Sequence, residues 1–195
     1  MMRLRLLVVM VVGLGVSHPA LAQSRSLDLN VNDDAVRLLY AAPIQRGPFD
    51  GLGMDVGFLR NTEEGNVGNL GVHVAGDAGM RNLPTEVAVG ANLFWADPDN
   101  LGDEAETLGL GLGLRFDSVF AQYNRLGFGG RAYFSPRVLT FLDGERYTEL
   151  GFRINYHIIR EAHIYAGYRR IRIGFEDRPS QTMESGFHGG LKLRF

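Results

Sequence analysis

The chain has 195 residues, a formal net charge of −2, no cysteine and 26 glycines. That length suits one domain, and the charge is too mild to argue for nucleic acid or any strongly charged partner. The lack of cysteine excludes a disulfide scaffold and also the lipidated cysteine of a bacterial lipoprotein. The glycines are more telling, because they fall inside strand-like runs and not only in turns.

The N-terminal segment sets the compartment. Arg3 and Arg5 precede an apolar run from Leu6 to Val16, followed by His18-Pro19 and the small-residue site Ala20-Leu21-Ala22. Charged, apolar and cleavable, in that order, is the pattern of a secretory signal peptide. The run is too short to cross a bilayer as a helix, and no later segment offers the ~20 apolar residues that a crossing helix needs. Residues 1–22 are therefore expected to be removed after Ala22, with Ala20 and Ala22 in the peptidase pockets and Gln23 first in the mature chain. Residues 23–195 are expected to form one barrel, the remaining way to span a membrane.

Period-two alternation, the mark of a strand with two unlike faces, gives about ten candidate strands in chain order. Ser26 to Val31 and Ala35 to Ala41 form a short pair around Asn32-Asp33-Asp34. Leu52 to Leu59 follows, then Gly68 to Ala75 and Glu86 to Trp95. Thr107 to Phe116 sets Leu108, Leu110, Leu112, Leu114 and Phe116 against Gly109, Gly111, Gly113 and Arg115. Leu126 to Phe134, Tyr147 to Ile158, Ile164 to Phe175 and Met183 to Phe195 complete the series. Most reach the ~9–11 residues of a tilted crossing strand. The count falls to eight if the short first pair stays out of the wall.

The last strand ends on an aromatic residue. Phe187, Leu191, Leu193 and Phe195 share one side, while His188, Lys192 and Arg194 share the other. That is the pattern of the closing strand of an outer-membrane barrel, and it is expected to pair with the first strand and to be read by the barrel-assembly machinery. The connections Asp97 to Ala105, Ser135 to Arg146 and Glu176 to Thr182 are long, acidic or proline-containing, whereas Ile159 to His163 is short. Long loops outside and short turns in the periplasm are usual in such barrels.

Alternation alone does not say which face is outside, since a soluble periplasmic barrel around an apolar ligand has the same period. The polar face decides. It interleaves glycine with Asp55, His73, Glu86, Arg115, Arg131, Glu149, Arg153, His157, Arg169, Glu184, His188 and Lys192. Long charged side chains fit a narrow lumen only beside small neighbours, so the polar face is turned inward and the apolar face to lipid. Buried charges need partners. Arg115, Arg131, Arg153, Arg169 and Lys192 are accordingly expected to meet Glu86, Glu149, Glu184 and Asp55. One strand breaks the pattern: Arg170 and Arg172 share parity with Ile164, Ala166 and Tyr168, while Ile171, Ile173 and Phe175 have the opposite parity. Either a β-bulge near Arg169-Arg170 restores the register, or the strand has left the bilayer there.

The runs Arg131-Ala132-Tyr133-Phe134-Ser135-Pro136, Glu149-Leu150-Gly151-Phe152-Arg153-Ile154-Asn155-Tyr156 and Ala166-Gly167-Tyr168-Arg169 resemble the YfaZ family of small outer-membrane proteins. The likeness runs from about Arg131 to Phe195. It implies an outer-membrane location in a Gram-negative bacterium and carries over no substrate and no catalytic residue.

Enzymatic barrels pair a histidine with a serine or an acid, because the nucleophile or water needs an oriented base. His73, His157 and His188 have inward parity, but Ser185 has lipid-facing parity and Ser135 lies in a loop. No metal-ligand spacing links the histidines, and the acidic stretch Asp97, Asp99, Asn100, Asp103 and Glu104 lacks the ordered spacing of a calcium loop. The expectation is an all-β, antiparallel, up-and-down transmembrane barrel without catalytic activity, cofactor or metal. Its role would be structural, narrow permeation or loop display, and its partners outer-membrane lipid and the assembly machinery. The rivals are a lumenal enzyme acting on lipid or peptide, and the soluble ligand-binding barrel.

Overall fold

Strands with one apolar and one polar side need two unlike surroundings, and this chain supplies them by closing its sheet. A computed structural model describes residues 25–44, 51–78, 83–99, 105–123, 125–176 and 178–195. The signal segment, with Ala20, Ala22 and Gln23, lies outside the described residues.

The strands in chain order are β1 (Ser26–Val31), β2 (Ala35–Pro43), β3 (Leu52–Asn61), β4 (Gly65–Asp77), β5 (Thr85–Pro98), β6 (Thr107–Val119), β7 (Leu126–Ser135), β8 (Thr140–Leu142), β9 (Gly144–Ile159), β10 (Ala162–Phe175) and β11 (Gln181–Arg194). Ten of them form an antiparallel wall that β5–β6 and β1–β11 pairing closes into a ring. The closing seam sets Ser26 opposite Arg194 and Val31 opposite Gly189, and Arg25 and Phe195 exchange two backbone hydrogen bonds of 2.9 Å. A closed ring leaves no row of unpaired N–H and C=O groups. The short first pair joins the wall, so the count is ten and not eight. β8 is an addition that alternation did not signal: β7 stops at Ser135, and β8 takes over its pairing along β6 from Thr107 to Gly109.

Arg25, the first described residue, and Phe195 lie together at one end of the barrel, called here the terminus-bearing end. At the opposite end lie the tight turns 32–34 and 62–64 and the strand ends joined by the connections β5–β6, β7–β9 and β10–β11, so the three long connections singled out in the sequence leave from one end. The asymmetry is partial, because the connections 44–51 and 78–84 at the terminus-bearing end are not short.

The apolar face is outside: Val89, Leu112 and Ile154 are 64 %, 55 % and 56 % exposed, whereas Asp55, Glu149 and Glu184 are buried within. A soluble barrel around an apolar ligand requires the reverse. Inward glycines give the charges room. A Cβ on Gly71 would stand 2.8 Å from Asp55 Oδ2, and one on Gly190 would collide with the Tyr165 ring.

Of the two alternatives for β10, the register switch near Arg169-Arg170 does not occur. The irregularity lies between Ile171 and Arg172 against β11, where Ile171 faces Glu184 and Arg172 faces Thr182, so the extra residue is Met183 on β11. Along β9, β10 runs in unbroken register from His163 to Gly174. Ile171, Ile173 and Phe175 therefore stay inside and Arg170 and Arg172 stay outside. The inward residues have apolar company: with Leu59, Val67, Phe94, Ala96, Tyr147 and Met183 they form a buried cluster at the loop-bearing end. The Phe94 and Tyr147 rings stack there with centroids 4.0 Å apart. The lumen thus has two zones, polar from the terminus-bearing end through the middle and apolar under the loops.

Candidate functional site: the charged lumen

Each wall strand turns every second residue toward the lumen, and the ring brings the polar side chains among them face to face from distant strands. Two connected networks result. In the first, the Glu149 carboxylate on β9 lies 2.8 Å from Arg37 Nη1 and 3.2 Å from Arg131 Nε, and it accepts a 3.1 Å bond from the Tyr147 hydroxyl. Arg37 also donates to Asn69 Oδ1 at 3.4 Å, and Asn69 Nδ2 donates at 3.4 Å to Asp55. Asp55 holds Arg115 Nη1 at 3.0 Å and lies 3.4 Å from His73 Nδ1.

The second network begins at the bulge. Glu184 receives Arg169 in a two-point grip of 2.6 and 2.7 Å, and Arg169 Nη2 also donates to Asn30 Oδ1 at 2.9 Å. Asn30 Nδ2 donates to the Tyr165 hydroxyl at 3.0 Å, and that hydroxyl donates to Asp28. Asp28 lies 3.3 Å from Arg153, whose Nη2 also reaches Asp117 at 2.7 and 2.9 Å. The Arg153 guanidinium packs over the Tyr165 ring, 5.3 Å from its centroid.

Of the charges read from the sequence, the structure brings together Arg115 with Asp55, Arg131 with Glu149, and Arg169 with Glu184. Arg153 goes instead to Asp28 and Asp117, which the sequence reading had left out, as it had Arg37. Lys192 and Glu86 line the lumen without an ion-pair partner among the described residues. The signal for Asp28 and Arg37 was present as the same period-two parity, on the short strands whose place in the wall was open. Asp117 lies one residue beyond the run that ended at Phe116. Phe187, Leu191, Leu193 and Phe195 all face outward along the closing strand.

Toward the terminus-bearing end the polar zone opens into a cavity of about 440 Å³ whose rim includes Ser26, Gly51, Glu86 and Arg194 and whose floor is set by Arg37 and Arg169. Beyond that floor Glu149, Glu184 and Asn92 are fully buried, and the apolar cluster follows. His73, in this cavity wall, forms a histidine–acid pair with the buried Asp55. Among the described residues no hydroxyl hydrogen-bonds a histidine; Tyr165 meets His188 by edge-on ring packing, with centroids 5.9 Å apart. Among the same residues no group of three or more His, Cys, Asp or Glu side chains could hold a metal ion.

A family model described as YfaZ precursor matches residues 2–195. The chain belongs to the YfaZ family. The match extends well upstream of Arg131, where the family likeness seen in the sequence began, and the description as a precursor implies a cleaved leader. No curated protein matches the chain. Among solved structures, the KdgM porin is similar with a TM-score of 0.43 and 10 % identity over 88 % of this chain and 99 % of that one. The same porin in complex with disordered oligogalacturonate gives the same TM-score, identity and coverage. A chain described under "Unveiling the Mechanism Behind the in-meso Crystallization of Membrane Proteins" is similar with a TM-score of 0.45 and 14 % identity, over 88 % of this chain and 83 % of that one.

Proposed function

We propose that this YfaZ-family protein is a non-catalytic barrel of the bacterial outer membrane, closed to through-flow of solutes, with a structural role and loops displayed outside. One observation carries the reading: the lumen is crossed by paired charges and then shut under the loops by the apolar cluster around Phe94 and Tyr147. An open polar conduit would need polar walls at both ends, and here the loop-bearing end is packed with buried apolar side chains. Catalysis of the triad type asks for a hydroxyl oriented by a base, and among the described residues the lumenal histidines have none. The apolar outer band supports outer-membrane lipid as surroundings, and the outward row Phe187, Leu191, Leu193 and Phe195 supports a contact with the assembly machinery during insertion.

Planar-bilayer recording of the refolded protein tests the reading, with membrane fractionation of expressing cells as the check on location. The expected result is heat-modifiable protein in the outer-membrane fraction and no stepwise conductance. Regular unitary steps at low voltage would replace the closed barrel with a narrow pore.

A further inference from the structure

The outer wall is mostly apolar, and where Arg60 faces outward it is paired with Asp99 at 3.2 Å; three other outward arginines differ. On β9 and β10, above Leu150, Phe152 and Ile154, the outward row continues as Thr148 and Arg146 on one strand and as Arg170 and Arg172 on its neighbour. The register sets Arg172 opposite Thr148 and Arg146 opposite Gly174, so Arg146 and Arg172 lie diagonally across one strand pair, with Arg170 two residues below. All three are exposed, and none has a carboxylate partner among the described residues. Two nearby acids are occupied: Arg137 pairs with Glu145 at 2.9 Å and also binds Glu176. Arg146, Thr148, Arg172 and Ser180 line a shallow concavity of about 350 Å³ that Glu145 borders.

Three unpaired guanidiniums on the lipid-facing side are costly at the bilayer centre and cheap only near its surface. Their position at the loop-bearing end puts them at headgroup height in the leaflet away from the termini. Arginine binds phosphate through its planar donor fork, and Thr148 and Ser180 add hydroxyl donors. Resting on the outer-membrane reading, we propose that Arg146, Arg170 and Arg172 form a docking site for the phosphorylated headgroup of the outer-leaflet glycolipid, which fixes the height of the barrel and keeps a lipid annulus at this face. Like charges so close repel one another unless an anion sits between them, and the headgroup phosphates supply it.

The test uses the full mature barrel in detergent micelles, with bis-phosphorylated lipid A, dephosphorylated lipid A and inorganic phosphate as probes. Binding is read by native mass spectrometry. Wild type should retain phosphorylated lipid A and not the dephosphorylated form, and the triple change Arg146→Gln, Arg170→Gln, Arg172→Gln should weaken retention at least tenfold. Arg60→Gln, at the same end on another wall, should leave retention unchanged, and Arg172→Gln alone should weaken it severalfold if the triple variant does not fold. Equal retention by wild type and the folded variants, or equal retention of both lipids, would overturn the site. Competition by millimolar inorganic phosphate would show that a free anion and not a lipid is held. Fractionation of cells reports on location separately, so a failed location and a failed lipid site are told apart.

Discussion

Arg37 and Glu149 meet across the lumen, Nη1 to Oε1 at 2.8 Å, from strands separated by β1, β11 and β10 along the wall, and both side chains are buried. Taking two charges out of water is expensive, so such a pair adds less net stability than its geometry suggests, whereas removing one partner leaves the other uncompensated. Glu149→Ala orphans Arg37 and Arg131 together and should cost about 3–5 kcal/mol. Arg37→Met combined with Glu149→Leu should cost clearly less than the sum of the single changes. Urea titration of the barrel refolded into phospholipid vesicles measures all three, and additive losses would mean that the two residues do not act as a pair.

Leu112 and Gly111 are neighbours on β6 with opposite surroundings. Leu112→Arg puts a charge near the middle of the outer band and should cost ~2–4 kcal/mol. Gly111→Ser should cost little, since a Cβ there finds its nearest heavy atoms at 3.7 Å. Inward glycines are not alike, however. Gly190→Ala drives a methyl group into the Tyr165 ring, which Asn30 and Asp28 hold in place, and overpacking of that kind costs ~1–3 kcal/mol. The order expected from unfolding in lipid is Gly111→Ser mildest and Leu112→Arg most severe; the reverse order for Leu112 and Gly111 would turn the barrel inside out.

The wall was legible in the sequence because one physical requirement, lipid outside and packed charge inside, acts on every second residue of every strand. The interior was legible only in part. Alternation tells that Arg153 faces inward but not that the ring brings β1 and β6 within its reach, so its true partners Asp28 and Asp117 emerge only from closure. The apolar zone stayed hidden for a related reason. Ile171, Ile173 and Phe175 break the lipid-facing pattern of β10, and a bulge in that strand was the local way to mend it. The chain instead lets the parity stand, puts the bulge at Met183 on β11, and satisfies the three side chains with Tyr147 from the neighbouring strand β9 and Leu59 and Phe94 from distant strands. β8 escaped notice because three residues are too few to show a period.

Phe94 is fully buried against Tyr147 at the loop-bearing end, where the lumen is proposed to be shut. Phe94→Ala should destabilise the barrel by about 3–5 kcal/mol, the usual cost of removing a buried aromatic ring. Paired with Tyr147→Ala it should also unseal the loop-bearing end. The double variant is expected to give stepwise conductance in planar bilayers where wild type gives none. A folded double variant that stays silent would move the seal from the apolar cluster down to the ion pairs at Arg37 and Arg169.

Phe195 closes the ring twice over, exchanging backbone hydrogen bonds with Arg25 and presenting its own side chain, 64 % exposed, on the outward row of β11. An aromatic side chain so exposed is not packed within the barrel, and its proposed use is by the machinery that receives the strand. Deleting Phe195, or replacing it with Asp, should leave export and cleavage intact, so that intact mass still begins at Gln23. The heat-modifiable, membrane-inserted fraction should fall, with the remainder degraded or aggregated in the periplasm. Insertion of the deletion variant at wild-type levels would remove the assembly role from this terminus while leaving the closed seam from Ser26 to Val31 in place, because those six residues pair with β11 upstream of Phe195.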